Sequence, residues 1–314
     1  MSNATRHLSP GQQAGRRFRK NRPAMGSAIY LGLLTLVILV WPLLLAVVGG
    51  SFGHDHAPDQ LSDAQFAPPS LHHWFGTDVH GRDVFSRVLY GGQISLFVGL
   101  VGTLVSLVIG VLWGAIAGYA GGRLDSAMMR FVDILYSLPT IIFIIVLITT
   151  LGELLKQSYF VTSSPFMGSA LRVMLLFVGL GSISWLTMAR IVRGQVLSLR
   201  TRAFVEASRT LGAGPVWILS KHIIPNIFGV VITYLALTMP AIVLYESFLS
   251  YLGLGVQPPM ASWGTLIAEG VGQINPIRIY WWLIIFPGGV MVATLMALNF
   301  IGDGLRDAWD IKAR

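Results

Sequence analysis

The chain alternates long apolar runs with short polar stretches. Ala28 to Gly50 is 23 residues without a charge, enough helix to cross the ~30 Å hydrocarbon core of a bilayer. Comparable runs cover 94–122, 134–152, 166–189, 223–245 and 279–302. The pattern predicts six transmembrane helices, hence an all-α integral membrane protein, because helices satisfy their own backbone groups in lipid. Glycines in the second span favour close helix approach. Pro139 predicts a kink in the third, and Pro240 lies within the fifth. Between the spans lie a polar tail (1–27), a long loop (51–93), a charged turn carrying Arg123, Asp125, Arg130 and Asp133, and a polar loop at 153–165. A polar island (200–226), a Gly/Pro-containing segment (250–278) and a C-terminal tail (303–314) complete the chain.

The island has its own pattern. Arg202 to Leu211 is rich in good helix formers, and Phe204, Ala207, Ser208 and Leu211 recur at helical spacing to give one apolar face. Gly212 to Pro215 breaks that helix. A second helix is expected to begin at Pro215, carry Trp217 and Ile218, and stop near Pro225 and Asn226. Two readings of such an apolar face outside the spans stand level: docking to another protein, or lying on the lipid surface.

Charge then orients the spans. Only 11% of residues are charged, and the formal net charge is +8. Of the 22 Lys and Arg residues, 17 flank the spans on the side of the N-terminal tail, the island and the C-terminal tail, and 5 lie on the other side. The positive-inside rule puts both termini and the island in the cytoplasm and 51–93 outside. Basic residues used this way argue against nucleic acid as a partner. The first apolar run lacks a small-residue cleavage site and reads as an uncleaved span.

Candidate chemistry is sparse. The chain has no cysteine, which excludes disulfides and thiolate chemistry. None of the lysines, Lys20, Lys156, Lys221 and Lys312, follows a glycine, so there is no Walker-type phosphate cradle and no ATPase site on this chain. His54, His56, His72, His73 and His80 show no metal-ligand spacing and read as scattered, solvated histidines, with no metal site expected. Arg130 is placed to pair with Asp133 one turn on, and Arg172 to snorkel outward. Glu246 ends the fifth span; an interfacial carboxylate touching water is favoured over a pathway residue that meets a substrate ammonium group. Trp263, with Pro258 and Pro259, reads as a structured outer element near the pathway mouth, with an interface anchor as the alternative.

Several of these stretches resemble one family. Glu206-Ala207, Gly212, His222 and Pro225-Asn226 resemble the cytoplasmic loop of ATP-binding-cassette importer permeases, with Ser208 where a third small residue is usual. Gly76-Thr77-Asp78, Gly81-Arg82-Asp83 and Ser86-Arg87 resemble the outer access motif before the second span of dipeptide and oligopeptide permeases, with Gln93 where Arg is common. The segments 184–199, YESFLSYLGLGVQPPMASWG and NFIGDGLRDAWD extend the likeness to the end of the chain, where Asp310-Ile311-Lys312 replaces Asp-Pro-Lys. The chain is thus identified as a member of the peptide/nickel importer permeases, and its wording leans to the C-type oligopeptide subunit.

The resemblance implies a multi-pass permease of the bacterial cytoplasmic (inner) membrane with a type I importer fold. It implies no catalysis on this chain, with ATP and Mg held by two partner ATPase subunits. Further implied partners are a homologous second permease, an extracytoplasmic peptide-binding protein and membrane lipid. ATPase coupling would fall to Phe204, Glu206, Ala207, Leu211, Gly212, His222, Pro225 and Asn226. Dipeptides, glutathione, antimicrobial peptides or nickel are alternative cargoes, and a secondary transporter or membrane scaffold are rival classes.

Overall fold

A computed structural model describes residues 10–156, 165–257 and 260–309, all helix and loop apart from one isolated bridge between Thr77 and Asp83. The helices are α1 (Pro10–Lys20), α2 (Arg22–Val48), α3 (Gly50–Asp55), α4 (Val84–Ala120), α5 (Gly122–Ser137) and α6 (Thr140–Lys156). They continue as α7 (Pro165–Leu199), α8 (Ala203–Thr210), α9 (Pro215–Ile218), α10 (Ile224–Tyr251), α11 (Trp263–Gly272) and α12 (Trp282–Trp309). Among the described residues, four helical segments are long and apolar enough to cross a membrane, or five if α5 and α6 count as one broken span.

α4 is the axis of the bundle. Its 37 residues span about 55 Å at 1.5 Å per residue. Gly110, Gly114 and Gly118 line the face it turns to α7. A Cβ at Gly110 would sit 2.6 Å from Met188 Cβ, one at Gly118 would sit 2.9 Å from the Arg193 carbonyl oxygen, and one at Gly114 would collide with the Ala189 carbonyl oxygen. Contact this close needs residues without a Cβ, the usual route to tight helix pairing in lipid. Farther toward its N-terminus, Gly99 and Gly102 meet Val243 and Ile242 of α10. Gln93 donates to the Ile38 carbonyl (2.9 Å) and ties α4 to α2.

The structure corrects several sequence expectations. The polar N-terminal stretch is helical from Pro10, and Asn21 caps α2 by accepting from Ala24 N–H (3.2 Å). Phe18 and Ala24 pack against Gly304 of α12, and α12 runs to Trp309, so the segment from Asp303 to there is helix rather than tail. α4 starts at Val84, ahead of the expected 94, because Asp83 caps it by accepting from Ser86 N–H (2.9 Å).

The charged stretch after α4 is the helix α5, not a turn. The chain then bends 89° between α5 and α6. Pro139 lacks an N–H and pushes Leu138 into an extended conformation (φ −80°, ψ 136°), which breaks the helix rather than merely kinking it. Asp133 pairs with Arg190 of α7 (2.7 Å), not with Arg130, while Arg193 grips Asp125 with two bonds of 2.5 and 2.7 Å.

The helix begun at Pro215 does not stop at Pro225. It continues through a π-helical turn (Leu219–Ile223) into α10, where Ile224 N–H donates to the Leu219 carbonyl. The wider turn accommodates a proline that offers no N–H to the ladder. Pro258, Pro259, residues 157–164, the 310–312 substitution and the Arg172 side chain lie outside the described residues.

Candidate functional site

Two sites sit at opposite ends of α4. At its C-terminal end α8 and α9 form an elbow. Val205, Ile218 and Ile223 face inward and are fully buried in a cluster with Val192, Val196 and Ile227. That anchoring turns the other face out: Phe204, Leu211, Val216 and Trp217 are 42%, 87%, 79% and 49% exposed. Glu206 and Ala207 are exposed on α8, and Pro225 and Asn226 at the start of α10.

Leu211 closes α8 by donating its N–H to the Ala207 carbonyl (3.1 Å). Gly212 then takes φ +84°, the left-handed region that glycine occupies without strain. Gly212 N–H donates to the Arg209 carbonyl (2.9 Å) and Ala213 N–H to the Ser208 carbonyl (3.0 Å). His222 locks the elbow from the far side. Its Nε2 lies 3.1 Å from Ser208 Oγ, and its ring stands edge-on to Trp217 at 4.9 Å. Asn226 Nδ2 donates to the His222 carbonyl (2.6 Å). Arg200 fastens the elbow to the end of α4 by donating to the Gly118 (3.1 Å) and Tyr119 (3.3 Å) carbonyls, and the Arg209 guanidinium lies over the Tyr119 ring. Ser208, Leu211, Gly212, Ala213, Gly214 and Trp217 line an open groove.

At the other end, residues 76–83 form a clamp. Asp78 Oδ1 accepts from the His80 (2.8 Å) and Arg82 (3.0 Å) N–H groups, and its Oδ2 accepts from Arg82 Nε (2.7 Å) and Arg87 Nη1 (2.7 Å). Both guanidinium groups also reach Glu269 of α11, Arg87 with bonds of 2.5 and 3.1 Å and Arg82 at 3.3 Å. Thr77 is buried and accepts Trp282 Nε1 on its carbonyl (3.1 Å). Gly76 and Gly81 have φ of +75° and +73°; a side chain at the first would press on the Ala67 carbonyl and Trp282, and at the second on Ser62. Buried Asp78 and Arg87, joined to the less buried Arg82 and to Glu269 at the surface, rigidify the point where the loop meets α4.

Glu246 and Trp263 belong to one buried unit beneath that clamp. Glu246 is fully buried, which corrects the expectation of a carboxylate in contact with water. Ser95 (2.9 Å) and Ser247 (3.3 Å) donate to its Oε2, and Ser250 (2.7 Å) to its Oε1. Ser95 in turn accepts the Trp263 N–H (3.3 Å), and Trp263 Nε1 donates to the Val88 carbonyl (3.0 Å). Trp263 is fully buried and does not present its ring to an interface.

With this geometry in view, residues 110–314 match the family described as binding-protein-dependent transport system inner membrane component. Residues 9–69 match the N-terminal transmembrane domain of oligopeptide transport permease C. This chain belongs to that permease family. It is similar to the oligopeptide transport system permease protein OppC of Haemophilus influenzae, with 43% identity over 96% of this chain and 89% of the relative. The dipeptide transport system permease protein DppC of Bacillus subtilis is 42% identical over 98% of this chain and 87% of its own length. A chain of the MetNI methionine ABC transporter in an inward-facing form has the same fold, with TM-score 0.53 and 20% identity over 72% of this chain and 97% of that one.

The permease is accordingly a multi-pass inner-membrane protein with a type I importer fold, rather than a secondary transporter or a scaffold. Its structure brings Phe204, Leu211, Gly212, Trp217 and His222 into one elbow, and Gly76 through Asp83 into one clamp. It also supplies partners that the sequence pattern does not expose. Glu269 and Ser95 carry no local signal, because what they bind is 182 and 151 residues away in the chain.

Proposed function

We propose that this permease is one of two homologous membrane subunits of an ATP-driven importer of peptides, and that the 203–217 elbow is where an ATPase subunit docks. Six spans with both termini in the cytoplasm complete that reading. Oligopeptides are the favoured cargo and dipeptides the alternative, as the names of both relatives suggest. ATP and Mg belong to two separate ATPase chains, and an extracytoplasmic binding protein delivers peptide to the clamped end of α4. Glu246 and Trp263 then support the outer end of the pathway from within the bundle.

The observation that carries the reading is the outward apolar face of the elbow. Leu211 is 87% and Val216 79% exposed on a segment whose inner face is fixed by fully buried Val205 and Ile218. A rigid, buried anchor beneath an exposed apolar tip suits transmission of force between proteins better than passive rest on lipid, and the exposed Glu206 adds a charge for a basic partner.

Leu211→Asp and Phe204→Asp test this, since both side chains are exposed. The expected result is normal membrane abundance, loss of ATPase co-purification and loss of binding-protein-stimulated ATP hydrolysis in reconstituted membranes. Full ATPase recovery with both variants would return the elbow to the lipid-lying reading.

A further inference from the structure

The loop before α4 holds a cluster that no known role of the permease explains. His56, His72 and His73 each bring a ring nitrogen to within 4.8 Å of the others. Their ring centroids lie 5.1–5.6 Å apart. For these three the sequence reading of scattered histidines is corrected: His56 and His72 are 16 positions apart in the chain, and the fold closes that gap.

Two of the rings are held from behind. His73 Nδ1 lies 3.0 Å from Asp83 Oδ1. The carboxylate can only accept, so Nδ1 is the donor, and in the neutral ring the lone pair sits on Nε2. A carboxylate behind an imidazole in this way fixes the tautomer and the ring orientation, the arrangement found behind metal-bound histidines. His56 Nε2 lies 2.8 Å from the His72 carbonyl oxygen, which likewise assigns the proton to Nε2 and the lone pair to Nδ1. His56 is buried, His73 half-buried and His72 exposed, so the cluster has a fixed floor and an open side.

We propose that His56, His72 and His73 form a binding site for one divalent first-row metal ion of the zinc type. Three imidazole ligands, with Asp83 behind His73 rather than within the cluster, favour borderline ions such as zinc over magnesium or calcium, which take oxygen ligands. Ligand nitrogens around a tetrahedral zinc stand about 3.3 Å apart, given metal–nitrogen bonds of about 2.0 Å. The His72 ring lies stacked at 10° to His56 and 25° to His73, and a lone pair lies in its ring plane, so closing from 4.8 Å or less asks the exposed His72 ring to rotate out of the stack. Water fills the fourth position on the open side.

The ion staples the loop to the start of α4, because Asp83 both holds His73 and caps that helix through Ser86. Between α3 and α4 the chain has no other regular structure than one bridge among the described residues, so a metal there orders the outer face of the permease. This site does not depend on the elbow or on the nature of the cargo.

The test uses the full-length permease purified without a polyhistidine tag, stripped with chelator and titrated with zinc against a chromophoric competitor. The expected result is one zinc per chain, with affinity at least tenfold weaker in His72→Ala, in keeping with the loss of a ligand. His80→Ala, which removes an exposed histidine outside the cluster, retains wild-type affinity. His72 is exposed, so its variant keeps the metal-free melting temperature of the wild type; zinc raises that temperature in the wild type and not in the variant. The site is overturned if the wild type binds no zinc at micromolar concentration, or if His72→Ala and His80→Ala bind alike.

Discussion

Replacing Gly212 by valine isolates the geometry of the elbow from its chemistry. Gly212 has φ +84°, and an L-residue held in the left-handed region costs about 1–2 kcal/mol, more when β-branched. A Cβ at this position meets nothing within 4 Å, so the whole effect is backbone strain and no clash contributes. The turn is held by two hydrogen bonds, Gly212 N–H to Arg209 (2.9 Å) and Ala213 N–H to Ser208 (3.0 Å), each worth about 0.5–1.5 kcal/mol net. Strain and bonding are thus of equal size. The equilibrium constant favouring the native turn should fall about 5–30-fold, which displaces Leu211 from Trp217, its neighbour in the groove. The buried anchors Val205 and Ile218 are untouched, so insertion and abundance stay normal. The assay is the yield of ATPase subunits co-purified with the permease, read beside binding-protein-stimulated hydrolysis. Valine should lower both, by about twofold where the strain just offsets the two bonds and by more as β-branching adds to it, and Gly212→Asn should recover most of the loss, because asparagine tolerates this conformation. Wild-type recovery with valine, or asparagine as poor as valine, would refute the reasoning.

At the α4–α7 contact, Gly114→Val should destabilise the purified permease by about 1–3 kcal/mol or more through overpacking against Ala189. Gly194→Ala, where a Cβ meets nothing within 4 Å, should leave its melting temperature unchanged or higher. Trp263→Phe should cost about 1 kcal/mol through loss of the bond to Val88, and Trp263→Ala about 3–5 kcal/mol through a core cavity; equal melting of the two would remove Trp263 from the packing role assigned here. Glu246→Gln keeps an acceptor for the serines and should be mild, whereas Glu246→Leu leaves Ser95, Ser247 and Ser250 without theirs and should cost about 1–3 kcal/mol in thermal denaturation. Because the chain has no native cysteine, Asp63→Cys and Gly214→Cys can be probed with a membrane-impermeant maleimide on intact cells. Only Asp63→Cys should label, and the reverse pattern would invert the topology.

Hydropathy and charge along the chain were enough to give an all-helical membrane protein, the places of most of its long helices and the start of the elbow. Those features are local: a run of apolar residues, a proline at a first turn, a glycine after a short amphipathic helix. Phe204 and Leu211 could be read as one face from their spacing alone, and Gly212 as the break that follows. What the pattern could not decide was which face looks outward, since Phe204 and Val205 are both apolar and only packing against Val192 and Val196 buries the second. Charge pairing escaped it for the same reason. Asp133 has Arg130 one turn away yet meets Arg190, because α5 turns that side toward α7. Glu246 looked like a carboxylate at the end of a span and is a buried acceptor for three serines, one of them on another helix. His56, His72 and His73 share no ligand spacing, so their gathering at the head of α4 exists only in three dimensions. Local sequence sets the conformations that are cheap for each segment; which side chains then share a site depends on contacts between segments far apart in the chain, and those were fixed by the glycine-lined approach of the helices in the folded permease.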